Sequence, residues 1–167
     1  FEVARSHRKA AYLSSQMSDD EGQVEILDAG ISMLERTPKH AMSPQARFEY
    51  GHLILARASV SPRKEAEDFL VRAEAIFKQN EPSARRAGYL AHIDSERGDK
   101  AYEDGDRDAA RRHYAAAEKK LKSAIEKIGA KTHRLERARV LSRLADLDPS
   151  LDAERLHLES VKELESL

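Results

Sequence analysis

The sequence predicts an all-α fold, a stacked array of about four antiparallel helical hairpins. Three observations lead there. Apolar residues recur every three to four positions along most of the chain, which is the spacing of one helix face. The composition, 40% hydrophobic and 35% charged with only 5% aromatic, suits long amphipathic helices and is short of strand formers. Finally, four blocks of sequence align with one another at offsets of 43, 44 and 43 residues.

Each helix follows from its pattern and its stops. Val3, Ala10, Ala11, Tyr12 and Leu13 predict a first helix from Glu2 to about Met17, and Ser18-Asp19-Asp20-Glu21 reads as a turn into a capped start. Val24, Ile26, Leu27, Ile31 and Leu34 carry the second, stopped by Thr37-Pro38. Pro44 opens the third, where a first helical turn accepts proline, and Phe48, Tyr50, Leu53, Ile54 and Leu55 continue it. Ser61-Pro62 repeats the device. The fourth helix holds Ala66, Phe69, Leu70, Ala73, Ile76 and Phe77 and ends near Asn80-Glu81-Pro82. Ser83 caps a fifth, which runs through Tyr89, Leu90 and Ile93 to about Asp104. After a Gly105-Asp106 turn, Ala110, Tyr114, Ala117 and Leu121 share one face of a sixth helix that ends at Ile128, with Gly129 as its stop. Thr132 begins a seventh with Leu135, Val140, Leu141, Leu144 and Leu147. Asp148-Pro149-Ser150 breaks it, and an eighth runs from Leu151 to Leu167.

Eight helices admit either a bundle or a stacked array, and repetition favours the array. The second helices align without internal gaps in four columns: Gln23, Ala66, Ala110, Ala153; Leu27, Leu70, Tyr114, His157; Gly30, Ala73, Ala117, Ser160; and Leu34, Phe77, Leu121, Leu164. The third column is small throughout and the second and fourth are large. A hairpin stacked on copies of itself needs such a period. The units run over about 1–38, 44–81, 83–128 and 132–167, as one helical-repeat domain spanning 1–167.

Gly98, Gly105, Ala110, Tyr114 and Ala117 resemble the tetratricopeptide repeat: a small residue in the first helix, a Gly or polar turn, then Ala, an aromatic and Ala down the second. Ala101 stands where that family has a larger residue, with Tyr102 beside it. Tyr50-Gly51, Ile54, Ala66, Leu70 and Ala73 give a second match with about three extra residues in the turn, and the outer two units match more weakly. The period of 43 to 44 exceeds the family's usual ~34. The reading is therefore a divergent, long-period form, a right-handed α-α superhelix or solenoid, with other hairpin arrays and closed bundles as alternatives.

The resemblance implies a protein–protein interaction module of scaffold type, not an enzyme, that binds a peptide or protein segment in a concave groove lined by the first helices. Carried over, that groove presents Arg8, Tyr12, Phe48, His52, His92, Asp99, Tyr102 and Arg139 as its principal residues, with Gln16, Glu49, Leu55, Ser95, Glu103, Ala138 and Ser142 among them. Mixed charge with aromatics suits an extended segment bearing both apolar and charged side chains. The terminal-carboxylate clamp found in some relatives needs paired asparagines, and this chain has only Asn80, with Tyr12 in the first clamp position. The alternative is the sensor or regulatory arm of a larger signalling or transcription protein. The chain opens on Phe1 rather than Met, so we read it as a piece of something longer.

Other classes find little purchase. The seven histidines include no pair three or four apart, so no helical metal pair and no metal is expected. Acids at Asp19-Asp20 and at Asp104, Asp106 and Asp108 fall at turns, where they offset helix dipoles. No phosphate loop, dinucleotide fingerprint or nucleophile elbow occurs, so no cofactor and no catalytic residue is assigned. A net charge of −1 gives no general pull toward nucleic acid or an anionic membrane, and basic strips such as Arg134 to Arg143 lack the exposed aromatics that single strands stack on. No run approaches the ~18 apolar residues of a spanning helix and there is no cysteine, so a cytoplasmic setting is expected. The last helix, with Leu156, Leu158, Val161, Leu164 and Leu167, has more apolar positions than one stripe needs, which suggests docking on another domain or self-association.

Overall fold

Caps and breakers set the helix boundaries. In the computed structural model, which describes residues 2–17, 19–38, 41–147 and 152–165, eight helices stand in order and no strand is found among the described residues. They are α1 (Glu2–Gln16), α2 (Asp20–Glu35), α3 (Pro44–Ser59), α4 (Arg63–Lys78), α5 (Ala84–Glu103), α6 (Arg107–Ile128), α7 (Lys131–Leu147) and α8 (Asp152–Glu165). Side chains of Asp19, Ser43, Ser83 and Asp106 accept from the N–H of Gly22, Ala46, Arg86 and Ala109 at 3.0 to 3.2 Å. Each satisfies a donor that a helix start leaves open. Gly129 closes α6 in the left-handed conformation, φ 57°, and Gly105 makes the turn before α6 at φ 78°, both open to glycine without strain.

One boundary differs from the sequence reading. Thr132 was expected to begin the seventh helix, but the carbonyl of Ala130 accepts from the N–H of His133 and Arg134, so Lys131 is the first helical residue and Thr132 lies inside. Ser18, the Asp148-Pro149-Ser150 break, and Leu151 and Leu167, the expected bounds of the last helix, lie outside the described residues.

The chain divides into two compact units, Phe1–Glu81 and Pro82–Leu167. In the first, α1 and α2 form one hairpin, α3 and α4 another, and α3 packs on both α1 and α2. The second unit repeats the pattern: α5 with α6, α7 with α8, and α7 on α6 and more lightly on α5. Alignment columns predict burial in three of the four blocks, except at Gln23, which is half-buried. Leu27, Leu34, Ala66, Leu70, Ala73, Phe77, Ala110, Tyr114, Ala117 and Leu121 are all buried. In α8 the same columns give a half-buried Ala153, a buried Ser160, and an exposed His157 and Leu164.

Polar contacts tie α8 to the rest of its unit. Ser160 donates to the carbonyl of Ala138 at 2.7 Å, and buried Arg137 of α7 meets Glu118 of α6 at 2.7 Å and both Glu159 and Glu163 of α8. Arg134 adds a second bond to Glu163 at 3.1 Å. Three carboxylates around one buried guanidinium tie three helices together.

Candidate functional site

Close approach of α5 to its neighbours builds the site. A Cβ at Gly98 would lie 2.6 Å from ring carbons of Tyr114, and one at Gly88 would run into the ring of His133. Glycine at both positions lets the rings of α6 and α7 lie directly against the α5 backbone. Both rings are fully buried, and each delivers a polar atom to the face that α5 shares with α7.

On that face α5 offers His92, Ser95, Glu96, Asp99 and Tyr102 at helical spacing, and α7 offers His133, Glu136, Arg139 and Arg143. The Tyr114 hydroxyl donates to Asp99 Oδ1 at 2.6 Å. The guanidinium of Arg139 bonds to the other oxygen of Asp99, to Ser95 Oγ at 2.7 Å and to Glu136 Oε1 at 2.6 Å. Arg143 approaches Asp99 at 3.9 Å and lies over the ring of Tyr102, 5.1 Å from its centroid. His92 and His133 share a hydrogen bond at 3.3 Å, and His92 Nδ1 stands 3.8 Å from Glu136.

The electrostatics follow from that packing. Burial pushes the pKa of His133 down to about 4, helped by the cationic tendency of His92 and Arg85 nearby, so its ring is neutral at pH 7. Burial also lowers His92, although Glu136 pulls the other way. Glu136 is itself opposed by burial, but His92 and Arg139 outweigh this and hold it below the ordinary carboxylate range. For Glu96 burial wins: with Asp99 and Glu136 adding to it, it outweighs Arg139 and Lys100 and raises the carboxyl to about 7. Tyr114 is raised first by burial and then by Asp99, so it remains a donor.

Four of the eight principal groove residues, His92, Asp99, Tyr102 and Arg139, thus meet on one face of the second unit. All four are half-buried and engaged with one another or with close neighbours. In the first unit Arg8 of α1 pairs with Glu49 of α3 at 2.9 Å, while Phe48 and His52 lean on the buried ring of Phe77, 6.0 and 5.8 Å between centroids. Tyr12 stands apart at 65% exposure. Of the residues carried with them, Glu49, Leu55, Ser95 and Ala138 are buried, Gln16 and Glu103 are exposed and Ser142 is half-buried.

Glu96, His133 and Glu136 were missed as members of the site. Their signal was present: His92, Ser95, Glu96, Asp99 and Tyr102 on one helix face charge-complementary residues Glu136, Arg139 and Arg143 at the same three-to-four spacing on another. Among the described residues no group of three or more His, Asp or Glu converges as a metal site would, and no helix is long and apolar enough to cross a membrane. Chemically, the arrangement offers fixed hydrogen-bond donors and acceptors beside an aromatic ring. Comparison with protein-family models and with curated proteins finds no match to this chain.

Proposed function

We propose that the chain is a non-enzymatic protein–protein interaction module, a divergent hairpin array similar to tetratricopeptide proteins, that holds an extended protein segment along its first helices. The observation that carries this reading is the α5/α7 face. Two first helices bring His92, Asp99, Tyr102 and Arg139 together and brace them through Ser95, Glu136 and Tyr114. A surface already held in one arrangement loses little freedom when a partner docks, so more of the contact energy becomes affinity. The matching pattern inside each unit, in which a later first helix packs on both helices before it, is the connection that stacking requires. Arg143, lying over the Tyr102 ring, suits a segment with a carboxylate next to an apolar or aromatic side chain.

The test is selection of binding peptides from a displayed random library, followed by affinity measurement against Tyr102→Ala and His52→Ala. Selected peptides should lose about tenfold or more with Tyr102→Ala, the loss typical of a contact worth 1.4 kcal/mol. Peptides that bind both variants as tightly as the parent would remove the groove assignment.

A second reading, a regulatory arm of a larger signalling or transcription protein, is favoured by a different observation. Leu158, Val161 and Leu164 of α8 are each about half exposed, a face suited to burial against another domain. Full-length sequence on either side of this segment distinguishes the two readings.

A further inference from the structure

We propose that the first unit carries a separate binding site, for a carboxylate on a compact apolar body, in the pocket between α3 and α4 where Arg47, Tyr50 and Arg72 rise above Met42, Ala75 and Ile76. The pocket encloses about 240 Å³. That is room for several water-sized units, enough for a small organic body. Met42 and Ile76 are buried and give it an apolar floor. Its polar groups are two guanidinium side chains, the Tyr50 hydroxyl and the Gln79 amide, with no acid among the lining residues.

The state of those groups identifies the ligand chemistry. Arg47 Nε is buried with no hydrogen-bond partner among the described residues. A buried donor without an acceptor is unfavourable, and a guanidinium takes a carboxylate in two parallel bonds. Arg72 is not free: it donates to Glu35 Oε1 at 2.5 Å and lies 3.5 Å from the Tyr50 hydroxyl, which in turn donates to Glu35 at 3.2 Å. Glu35 and Arg72 are both more than 40% exposed, so their pair is a weak competitor that an incoming anion can displace. Two cations against one displaceable carboxylate leave a site charge of about one, which matches a monoanion. An apolar floor selects against a small, strongly hydrated dianion such as phosphate.

The same chemistry is presented by a free organic acid and by the C-terminus of a polypeptide ending in an apolar residue. The experiment titrates the full chain, labelled with ¹⁵N-arginine, with hexanoate, hexanol, inorganic phosphate, and an acetylated tetrapeptide ending in leucine as free acid or amide. The readout is the Nε–H resonances of Arg47 and Arg72. Hexanoate or the free-acid peptide should shift them saturably, while hexanol, phosphate and the amide should not. Tighter binding of the peptide than of hexanoate identifies a polypeptide end as the natural occupant, and the reverse order a small organic acid. Arg47→Gln should weaken binding about tenfold, as loss of a charge-assisted bidentate contact does. Glu35→Gln, a surface change that leaves the fold intact, should tighten it severalfold by releasing Arg72. The proposal is overturned if no carboxylate saturates the shift, if phosphate binds as well as hexanoate, or if Glu35→Gln leaves the affinity where it was.

Discussion

In each unit one hairpin seats a buried aromatic ring against a glycine of the facing helix, but the two rings end in different surroundings. Gly51 of α3 meets Phe77 of α4, and Gly98 of α5 meets Tyr114 of α6, each with a would-be Cβ 2.6 Å from the ring. Phe77 is flanked by Phe48 and His52 and carries no polar atom. Tyr114 passes its hydroxyl through the seam to Asp99, and thereby to Arg139 on α7. The first hairpin is therefore fixed by shape, the second by shape and by a bond of defined direction. A hydroxyl at the end of a core ring couples the interior of α5/α6 to the polar face that is the candidate site.

Removing the rings should have the largest effect. Phe77→Ala and Tyr114→Ala are each expected to cost about 3–5 kcal/mol in chemical denaturation, the range for deleting a buried aromatic side chain. The exchange of ring types then separates the hairpins. Tyr114→Phe should cost about 1–2 kcal/mol, because it deletes a hydrogen bond to a charged acceptor. Phe77→Tyr should also destabilise, because the ring tip already lies against α3 at Gly51 and an added oxygen crowds the backbone there. A neutral Tyr114→Phe would mean that the hydroxyl is incidental and the contrast between the hairpins empty.

The glycines come next. Alanine in a helix is ordinarily favoured over glycine by about 1 kcal/mol, so a net loss reports the clash alone. Gly51→Ala and Gly98→Ala should both destabilise, by about 1–3 kcal/mol, since the atoms in the way belong to stiff buried rings. Thermal unfolding followed by circular dichroism reads this. Combining Gly98→Ala with Tyr114→Leu should recover part of the loss; if it does not, the ring is not what the glycine accommodates.

Acid and base act on the second unit through two groups of opposite sign. His133, lowered to about 4, contributes stability that is complete above its unfolded value near 6.5 and is lost as pH falls from there toward 4. Glu96, raised to about 7, contributes stability that is complete below its unfolded value near 4.5 and is lost as pH rises toward 7. Between about pH 4.5 and 6.5 the two slopes oppose one another in the parent, and His92, also lowered by burial, adds to the slope of His133. Glu96→Gln removes one of them. The variant should be more stable than the parent at pH 8, by on the order of 2 kcal/mol, and should lose stability from pH 6.5 to 4.5 more steeply than the parent does. Denaturant midpoints across this range decide it, and a variant that tracks the parent at every pH would show that Glu96 is solvated.

Helix content and boundaries were legible because they are local. Ser43 before Pro44, Ser83, Asp106 and Gly129 each act within a few residues of themselves, and each sits where its chemistry placed it. The inward columns of the first three blocks were legible for a related reason, since a face of Ala110, Tyr114, Ala117 and Leu121 is buried whatever covers it. What covers it was not legible. Gly51 was matched to Gly98 on the sequence, yet it meets Phe77 and not Leu70, the residue aligned with Tyr114. Helices of 16 residues in α3 and α4, against 20 and 22 in α5 and α6, bring a different turn of the second helix opposite the glycine. Site residues fared likewise. Asp99 and Arg139 are 40 positions apart, and their pairing depends on how closely α5 and α7 approach, which Gly88 and the ring of His133 decide.

The smallest effect is expected from the ion pair that the first unit wears on its surface. Glu35 and Arg72 join α2 to α4 at 2.5 Å, but both side chains are more than 40% exposed. Water screens such a pair and two flexible side chains must be held to form it, so a double-mutant cycle with Glu35→Gln and Arg72→Met should return a coupling below about 1 kcal/mol. The coupling should shrink further between 0.1 and 1 M salt. The corresponding cycle in the second unit, Asp99→Asn with Arg139→Met, should return more, because Asp99 is well covered and Arg139 is bound on several sides. Equal couplings would mean that the polar face of α5 and α7 is no better braced than an exposed pair, and the case for a preformed binding surface there would lose its physical basis.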